Sequence, residues 1–578
     1  MSDALVAVAP TLARDLGARG SRSALAGADP TVGVSSAAAA ILAAVPAWWA
    51  HRARSAGLDG DWLDVSWAVE AAVPAVQQAT PLVGFAALSG SALGRAYVEA
   101  LDPAVRARHG RHYTPDDLAG RLWDATRRTL GFGVRSQPMP GLVRDPAAGG
   151  GALLIPALRE HLAATARANP AMSLAGLTQA VHGIDTDPAA AWLASVVLAA
   201  ECLPTIAEIP ARLRHPVPQL VHVGDGLAPA SLARVALMNP PYGRVKLSVA
   251  DRNRWDSVLL GHANLYALFM AHGAESLERD GVLAALVPTS WTSGLYFSRL
   301  RELLGSDLTL RSVTFVESRG GVFSGVLQET CLAVFSKRKA RYTNIALSNG
   351  AVHPVARVPA PRGSGPWLLP RRGSDAPVAA AAASMPLTLA RAGWRVSTGP
   401  LVWNRRKDDL HARTGKGRAP ILWGADIATG AVRRDRTRNQ QRYLKIRDAA
   451  DRRTMVLDTP AVLVQRTTAP EQTRRLVVAD LPPEVLATWG GEIIVENHVN
   501  VLRPVDPEPM INRATLARVL ATTTLDRVMR SLSGSVAVSA FELSALPLPD
   551  AATLRGWCDL EGEALERAVA RAYGERSA

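Results

Sequence analysis

Four consecutive residues have the types needed to work on a flat, amine-bearing ring. They are Asn239, Pro240, Pro241 and Tyr242, within Val235-Ala-Leu-Met-Asn-Pro-Pro-Tyr-Gly-Arg244. Asn239 offers a carbonyl acceptor and Tyr242 an aromatic plate. The prolines between them have no N–H to donate and restrict the residue before each, so they stop a strand and stiffen the loop. The apolar run from Val235 to Met238 predicts the end of a buried strand. Open α/β sheets hold ligands beyond the carboxyl ends of their strands, which is where this loop would lie.

Positioning such a loop takes a sheet, and the residues upstream predict one. Residues 142–145 read as a short strand ending at Asp145. Pro146, Ala147 and the glycines Gly149, Gly150 and Gly151 then predict a tight turn into an apolar helix, with glycine letting backbone approach a ligand. The pattern is not the GxGxxG dinucleotide fingerprint. Residues 181–185 predict a second strand with Asp185 at its end, suited to ribose hydroxyls, while Asp187 suits the cap of the next helix. Residues 221–225 predict a third strand end, where Asp225, followed by Gly226, can accept from an exocyclic amine; His222 reads as packed within that strand. Ahead of all these, Arg108-His-Gly-Arg-His-Tyr-Thr-Pro115 precedes a helix predicted over 116–130. Thr114 or Asp116 would cap it, with Pro115 at its first turn, and its free N–H groups suit a carboxylate.

Downstream, a helix is predicted over 264–278 with Tyr266 and Phe269 on one side, a strand over 281–288, a helix over 295–304, and strands over 310–316 and 330–335. Phe323 sits on a loop flanked by glycines, between Gly320 and Gly325. Alternating strands and helices from about 110 to 338 argue one α/β domain. Residues 1–105 are rich in Ala, Leu and Arg, and predict a helical region with helices over 35–49 and 62–78. Residues 341–390 read as a connecting region, partly helical. From 391 the texture changes: Trp394, Trp403 and Trp423 stand among arginines, with short β-like runs. Basic side chains suit phosphates, and Asn, Gln and Arg suit base edges. Helices are predicted over 514–532 and 551–573.

The 578 residues suffice for about three or four domains, and 48% hydrophobic residues with mean hydropathy near zero describe a soluble chain with large cores. The formal charge of +14 favours a polyanionic partner. The first lysine is Lys246, which argues against a lysine-dependent nuclease in the N-terminal region. Cys202, Cys331 and Cys558 form no metal-ligand spacing and read as buried thiols in a reducing compartment. The N-terminus lacks the basic segment of a signal peptide, and apolar stretches such as 37–50 are too short to span a bilayer. A cytoplasmic protein without a membrane partner is expected.

Together, Tyr113-Thr114-Pro115, Asp145-Pro-Ala-Ala-Gly-Gly-Gly151, Asp185, Asp225 and Asn239-Pro-Pro-Tyr242, in that order, resemble the γ-class N6-adenine DNA methyltransferases, like the TaqI enzyme. The likeness covers 108–338 by motif, the C-terminal part by position and texture, and the first hundred residues not at all. Ala148 and Gly150 depart from the family's usual Cys and Ser. The resemblance implies a Rossmann-like α/β methyltransferase domain over 106–340, between a helical N-terminal region (1–105) and a connecting region (341–390). An α+β target-recognition domain (391–550) and a C-terminal helix (551–578) would follow. It implies S-adenosylmethionine as cofactor and double-stranded DNA as partner. Tyr113, Thr114 and Pro115 would hold the cofactor's methionine end, and Asp145, Pro146, Ala147, Gly149 and Gly151 would line the pocket. Asp185 would take the ribose, and Asp225 with Gly226 the adenine amine. Asn239, Pro240, Pro241 and Tyr242 would act on a flipped-out adenine, with Phe323 as a second aromatic on it. Methyl transfer to RNA or to a protein glutamine, and a non-catalytic DNA-recognition subunit, remain as rival readings. A cytosine N4 enzyme usually begins this loop with Ser. Whether a restriction or defence protein accompanies the chain is open.

Overall fold

A computed structural model describes residues 35–74, 79–81, 84–102, 106, 113–317, 329–435, 437, 439–468, 472–532 and 537–575. Its centre is a nine-stranded sheet. In chain order the strands are β1 (Val143–Asp145), β2 (Val181–Asp185), β3 (Val221–Val223), β4 (Ala233–Met238), β5 (Leu277–Pro288), β6 (Thr309–Val316), β7 (Thr330–Ser336), β8 (Tyr342–Ser348) and β9 (Val352–Pro359). Their spatial order is β3-β2-β1-β4-β5-β7-β6-β8-β9. Strands β3 to β5 are parallel, and β7 runs antiparallel to both neighbours. Helices cover both faces, so the central strands read as continuous apolar runs, as in Val282 to Val287 and Cys331 to Phe335, all buried.

The expected strand ends fall where the residues place them, but several helices differ. The helix predicted over 264–278 is Leu265–Glu275, and β5 begins at Leu277. The predicted 62–78 helix is instead a short turn, Val65–Ala68, followed by Val69–Glu70, which pairs with Val217–Pro218; β-branched Val69 favours extension. Residues 342–359, expected within a connecting region, form β8 and β9 on the outer side of the sheet. The helix capped by Asp187, Pro188–Ala207, is long and apolar enough to cross a membrane, yet 89% of its most apolar window is inside the protein.

The helical N-terminal residues share the sheet's own core. Helix α1 (Ser36–Ser55) starts at Ser35, whose hydroxyl accepts from Ala38 N–H at 3.0 Å. Trp48 and Trp49 are fully buried, and their indole N–H groups donate to Leu88 and Trp62 carbonyls. These side chains pack in one cluster with Val143, Val181 and Val235 of the sheet.

Among the described residues, a four-stranded and a five-stranded sheet follow, with two short two-stranded pairings beside them. The four-stranded sheet orders Trp394–Thr398, Val499–Pro504, Ala461–Gln465 and Val478–Leu481; the five-stranded sheet is built on Arg418–Leu422 and Ile493–Val495. The helix expected over 514–532 is two, Arg513–Leu520 and Thr523–Leu532. The expected final helix is Ala551–Gly556 and Gly562–Ala572, broken over residues 557–561, with Gly562 at φ +50° opening the second piece. All four pack on one core with Trp394 and Tyr573.

Candidate functional site

Strands β1 and β4 are hydrogen-bonded parallel neighbours, Val143 opposite Val235. The glycine turn after β1 and the Asn239 loop after β4 therefore leave the sheet side by side, about 5 Å apart at their roots.

The glycine turn is fixed by its neighbours. Asp145 accepts from Ala147 N–H at 3.0 Å. Gly149 takes φ +51° and Gly151 φ +81°, conformations that favour glycine. Gly149 N–H donates to Asp185 at 2.9 Å, and the other Asp185 oxygen accepts from Asp187 N–H. Asp185 thus ties the turn to the end of β2, and Asp187 caps the following helix as expected. A Cβ on Gly226 would lie 1.8 Å from the Pro146 carbonyl oxygen, so the β3 end presses directly on the turn after β1. Asp225 accepts from Leu227 N–H with one oxygen. Among the described residues its other oxygen has no partner.

The fit to an adenosyl cofactor rests on this geometry. Asp185 and Asp225 are both partly exposed at adjacent strand ends, and a Cβ on Gly149 would meet only open space. Asp145 is different. It is buried, and burial, with Asp185 adding repulsion, pushes its carboxyl up to about 8.

The Asn239 amide is held at both ends. Its Nδ2 donates to Thr114 Oγ1 at 2.9 Å, and its Oδ1 accepts from the Tyr242 hydroxyl at 3.0 Å. That hydroxyl also lies 3.1 Å from the Leu286 carbonyl of β5, so one hydrogen serves two acceptors. Pro240 is buried and Pro241 partly so. The Tyr242 ring meets Tyr266 edge-on, with centroids 6.3 Å apart. Burial pushes the Tyr242 phenol well above its ordinary value, so it stays protonated.

Thr114 does not cap the helix over Asp116–Leu130. Pro115 occupies the cap position without a side-chain bond, and the Thr114 hydroxyl oxygen accepts from the Asn239 amide instead. Tyr113 is partly buried, 3.4 Å from where a Cβ on Gly94 would lie. Phe323 and its loop, residues 108–112, Arg436 and Arg438 lie outside the described residues.

Helix α2 (Gly90–Ala100), which sequence reasoning gave no part in the site, reaches the glycine turn. A Cβ on Gly94 would come 3.0 Å from the Gly150 carbonyl oxygen, and the buried Tyr97 hydroxyl donates to Asp187 at 2.9 Å. Two glycines 56 positions apart give no signal of such a contact in a single sequence.

Among the C-terminal tryptophans, Trp394 is core, donating to the Ile511 carbonyl, while Trp403 is 40% exposed. Several of the arginines there are engaged within the chain. Arg406 pairs with Asp409 and Asp451, Arg442 with Asp426, and Arg434 lies 4.3 Å from the Trp489 ring centroid.

Comparison with known proteins bears on this arrangement. Residues 235–323 match the family described as Eco57I restriction-modification methylase. The chain is similar to type II methyltransferase M.PstI of Providencia stuartii (24% identical over 328 residues) and M.BsuBI of Bacillus subtilis (22% over 333). Each match covers 54% of this chain and 64% of the relative, so the chain spans under two thirds of these curated relatives. Among solved structures, the type IIL restriction-modification enzyme MmeI, determined in complex with DNA, matches with a TM-score of 0.50. That match has 15% identity and covers 85% of this chain and 80% of the other. The nine-stranded sheet is a Rossmann-like methyltransferase fold.

Proposed function

We propose that this chain is a DNA methyltransferase of the restriction-modification type, which moves a methyl group from S-adenosylmethionine to N6 of an adenine turned out of duplex DNA. The carrying observation is the adjacency of the Asn239 loop and the glycine turn on neighbouring strands. It puts an amide acceptor beside a cleft with two accessible carboxylates.

When bound, the cofactor supplies a methyl group activated by a sulfonium. The chain's residues do the rest. The adenine amine is a poor nucleophile while its lone pair is spread into the ring. The Asn239 Oδ1 and the Pro240 carbonyl oxygen draw on its two hydrogens and bring the nitrogen towards tetrahedral geometry. The Tyr242 hydroxyl can turn its hydrogen from Asn239 Oδ1 to the Leu286 carbonyl, which eases the competition at Asn239 Oδ1. The Tyr242 ring then faces the positive charge growing on nitrogen, a contact worth about 1–2 kcal/mol when desolvated. Phe323 adds a second aromatic. Transfer needs orientation more than acid–base help, and no covalent bond to the protein. Asp185 holds the ribose and Asp225 the adenine amine of the cofactor. Extruding the target costs unstacking energy, and residues beyond 391 select the site.

The test is incubation with methyl-labelled cofactor and genomic DNA, followed by nucleoside analysis. Label is expected in N6-methyladenine, and Asn239→Ala should remove it while cofactor binding persists. Label in N4-methylcytosine, in RNA or in protein, or undiminished transfer by Asn239→Ala, would overturn the assignment.

A further inference from the structure

A cavity of about 410 Å³ opens among the C-terminal strands, lined by none of the residues described above for the cleft. Trp403, Trp423, Gln440, Gln441, Glu496 and His498 line it. At its edge stands a buried carboxylate serving an accessible imidazole. The Glu496 side chain is 1% exposed and that of His498 is 51% exposed. One Glu496 oxygen lies 2.6 Å from His498 Nδ1, and the other accepts the His498 backbone N–H at 3.0 Å.

An ionised carboxylate only accepts hydrogen bonds, so Nδ1 carries the hydrogen. In the neutral ring Nε2 is then a bare acceptor. A pairing made only for packing would bury the ring along with the acid, whereas here the acid is buried and the ring stands at the cavity mouth. Desolvating a carboxylate is costly, and the return is an imidazole with one fixed tautomer.

The surrounding wall is rigid. Glu496 N–H donates to the Leu422 carbonyl and Asn497 N–H to the Leu401 carbonyl, which pins the turn. Trp423 gives its indole N–H to the Gln441 carbonyl and its backbone N–H to Asp426. Asp426, fully buried, also accepts from Arg442 and from Asp435 N–H. By contrast, the side-chain amides of Asn439, Gln440 and Gln441 make no hydrogen bond within the chain among the described residues. The cavity therefore joins two indoles, three uncommitted amides and one oriented acceptor. Amides read base edges in the major groove, where an exocyclic amine marks adenine or cytosine.

Resting on the function proposed above, we infer that this cavity reads one base of the duplex target, with His498 Nε2 accepting a hydrogen bond from the exocyclic amine of that base. Glu496 is the positioning residue that fixes the ring.

Sequencing of modified DNA defines the wild-type recognition sequence, and His498→Ala and Glu496→Gln are then compared on duplexes varied one position at a time. Both variants should lose about tenfold discrimination at the same single base pair and keep cofactor affinity. A base analogue lacking the exocyclic amine at that position should slow wild type about tenfold and leave His498→Ala unaffected. If His498→Ala transfers no methyl at all, Glu496→Gln decides by the same measure. Unchanged preference at every position in the active variant would overturn the inference while leaving the function standing. No methyl transfer to any DNA by wild type would overturn both.

Discussion

At the residue scale, the site turns on what Asn239 and Asp145 are bonded to. Thr114 holds the Asn239 amide from a point 125 residues earlier in the chain. Removing that hydroxyl takes away one hydrogen bond that orients the Asn239 amide, a cost of about 1 kcal/mol or more. Thr114→Val should therefore lower kcat about tenfold or more while cofactor affinity, read by calorimetry, moves little. The reverse pattern would return Thr114 to the cofactor's methionine end. Asp145 sets a pH dependence. Its carboxyl, pushed up to about 8, is neutral in the free protein below that pH. A cationic ligand in the pocket favours the ionised form, so binding expels a proton and affinity rises with pH until about 8, then levels. Calorimetry in buffers of different ionisation heat should find this proton release for S-adenosylmethionine, less of it for the uncharged thioether product, and none in Asp145→Asn.

At the element scale, much of the sheet that carries the glycine turn and the Asn239 loop was legible from local chemistry. Prolines after an apolar run mark the end of β4, glycines after Asp145 mark the turn beyond β1, and acids mark the ends of β2 and β3. These signals are local, and each is read within a few residues. What escaped depends on distant partners. The Gly94–Gly150 contact and the Thr114–Asn239 bond join segments that carry no shared pattern. Strand β9 was hidden by Pro354 and Pro359, which suit a linker as well as a sheet's outer strand, where amide hydrogens are not needed. The long helices over 514–532 and 551–573 failed because apolar periodicity continues across a break. The close press of Gly226 on Pro146 gives the clearest element-scale expectation. Gly226→Ala puts a methyl against a backbone oxygen that cannot move without shifting β1 or β3. Loss of about 1–3 kcal/mol is expected, seen as a lowered Tm together with weakened cofactor binding.

At the scale of the whole molecule, the net charge of +14 is spread over many arginines, and part of it is spent internally. The remainder still predicts a steep response to salt. If six or more phosphates are contacted, DNA affinity should fall about a thousandfold or more between 50 and 200 mM salt, whereas cofactor affinity should hardly change. A shallow slope in a filter-binding titration would mean that few cations reach the backbone. The central sheet also bears on how the protein behaves in a crowded solution. One border strand, Val221–Val223, is three residues long, and the other, Val352–Pro359, has two prolines with no amide hydrogen to offer. Both rims are thereby blunted as templates for a strand from a second copy, which lowers the tendency of the sheet to add strands and aggregate.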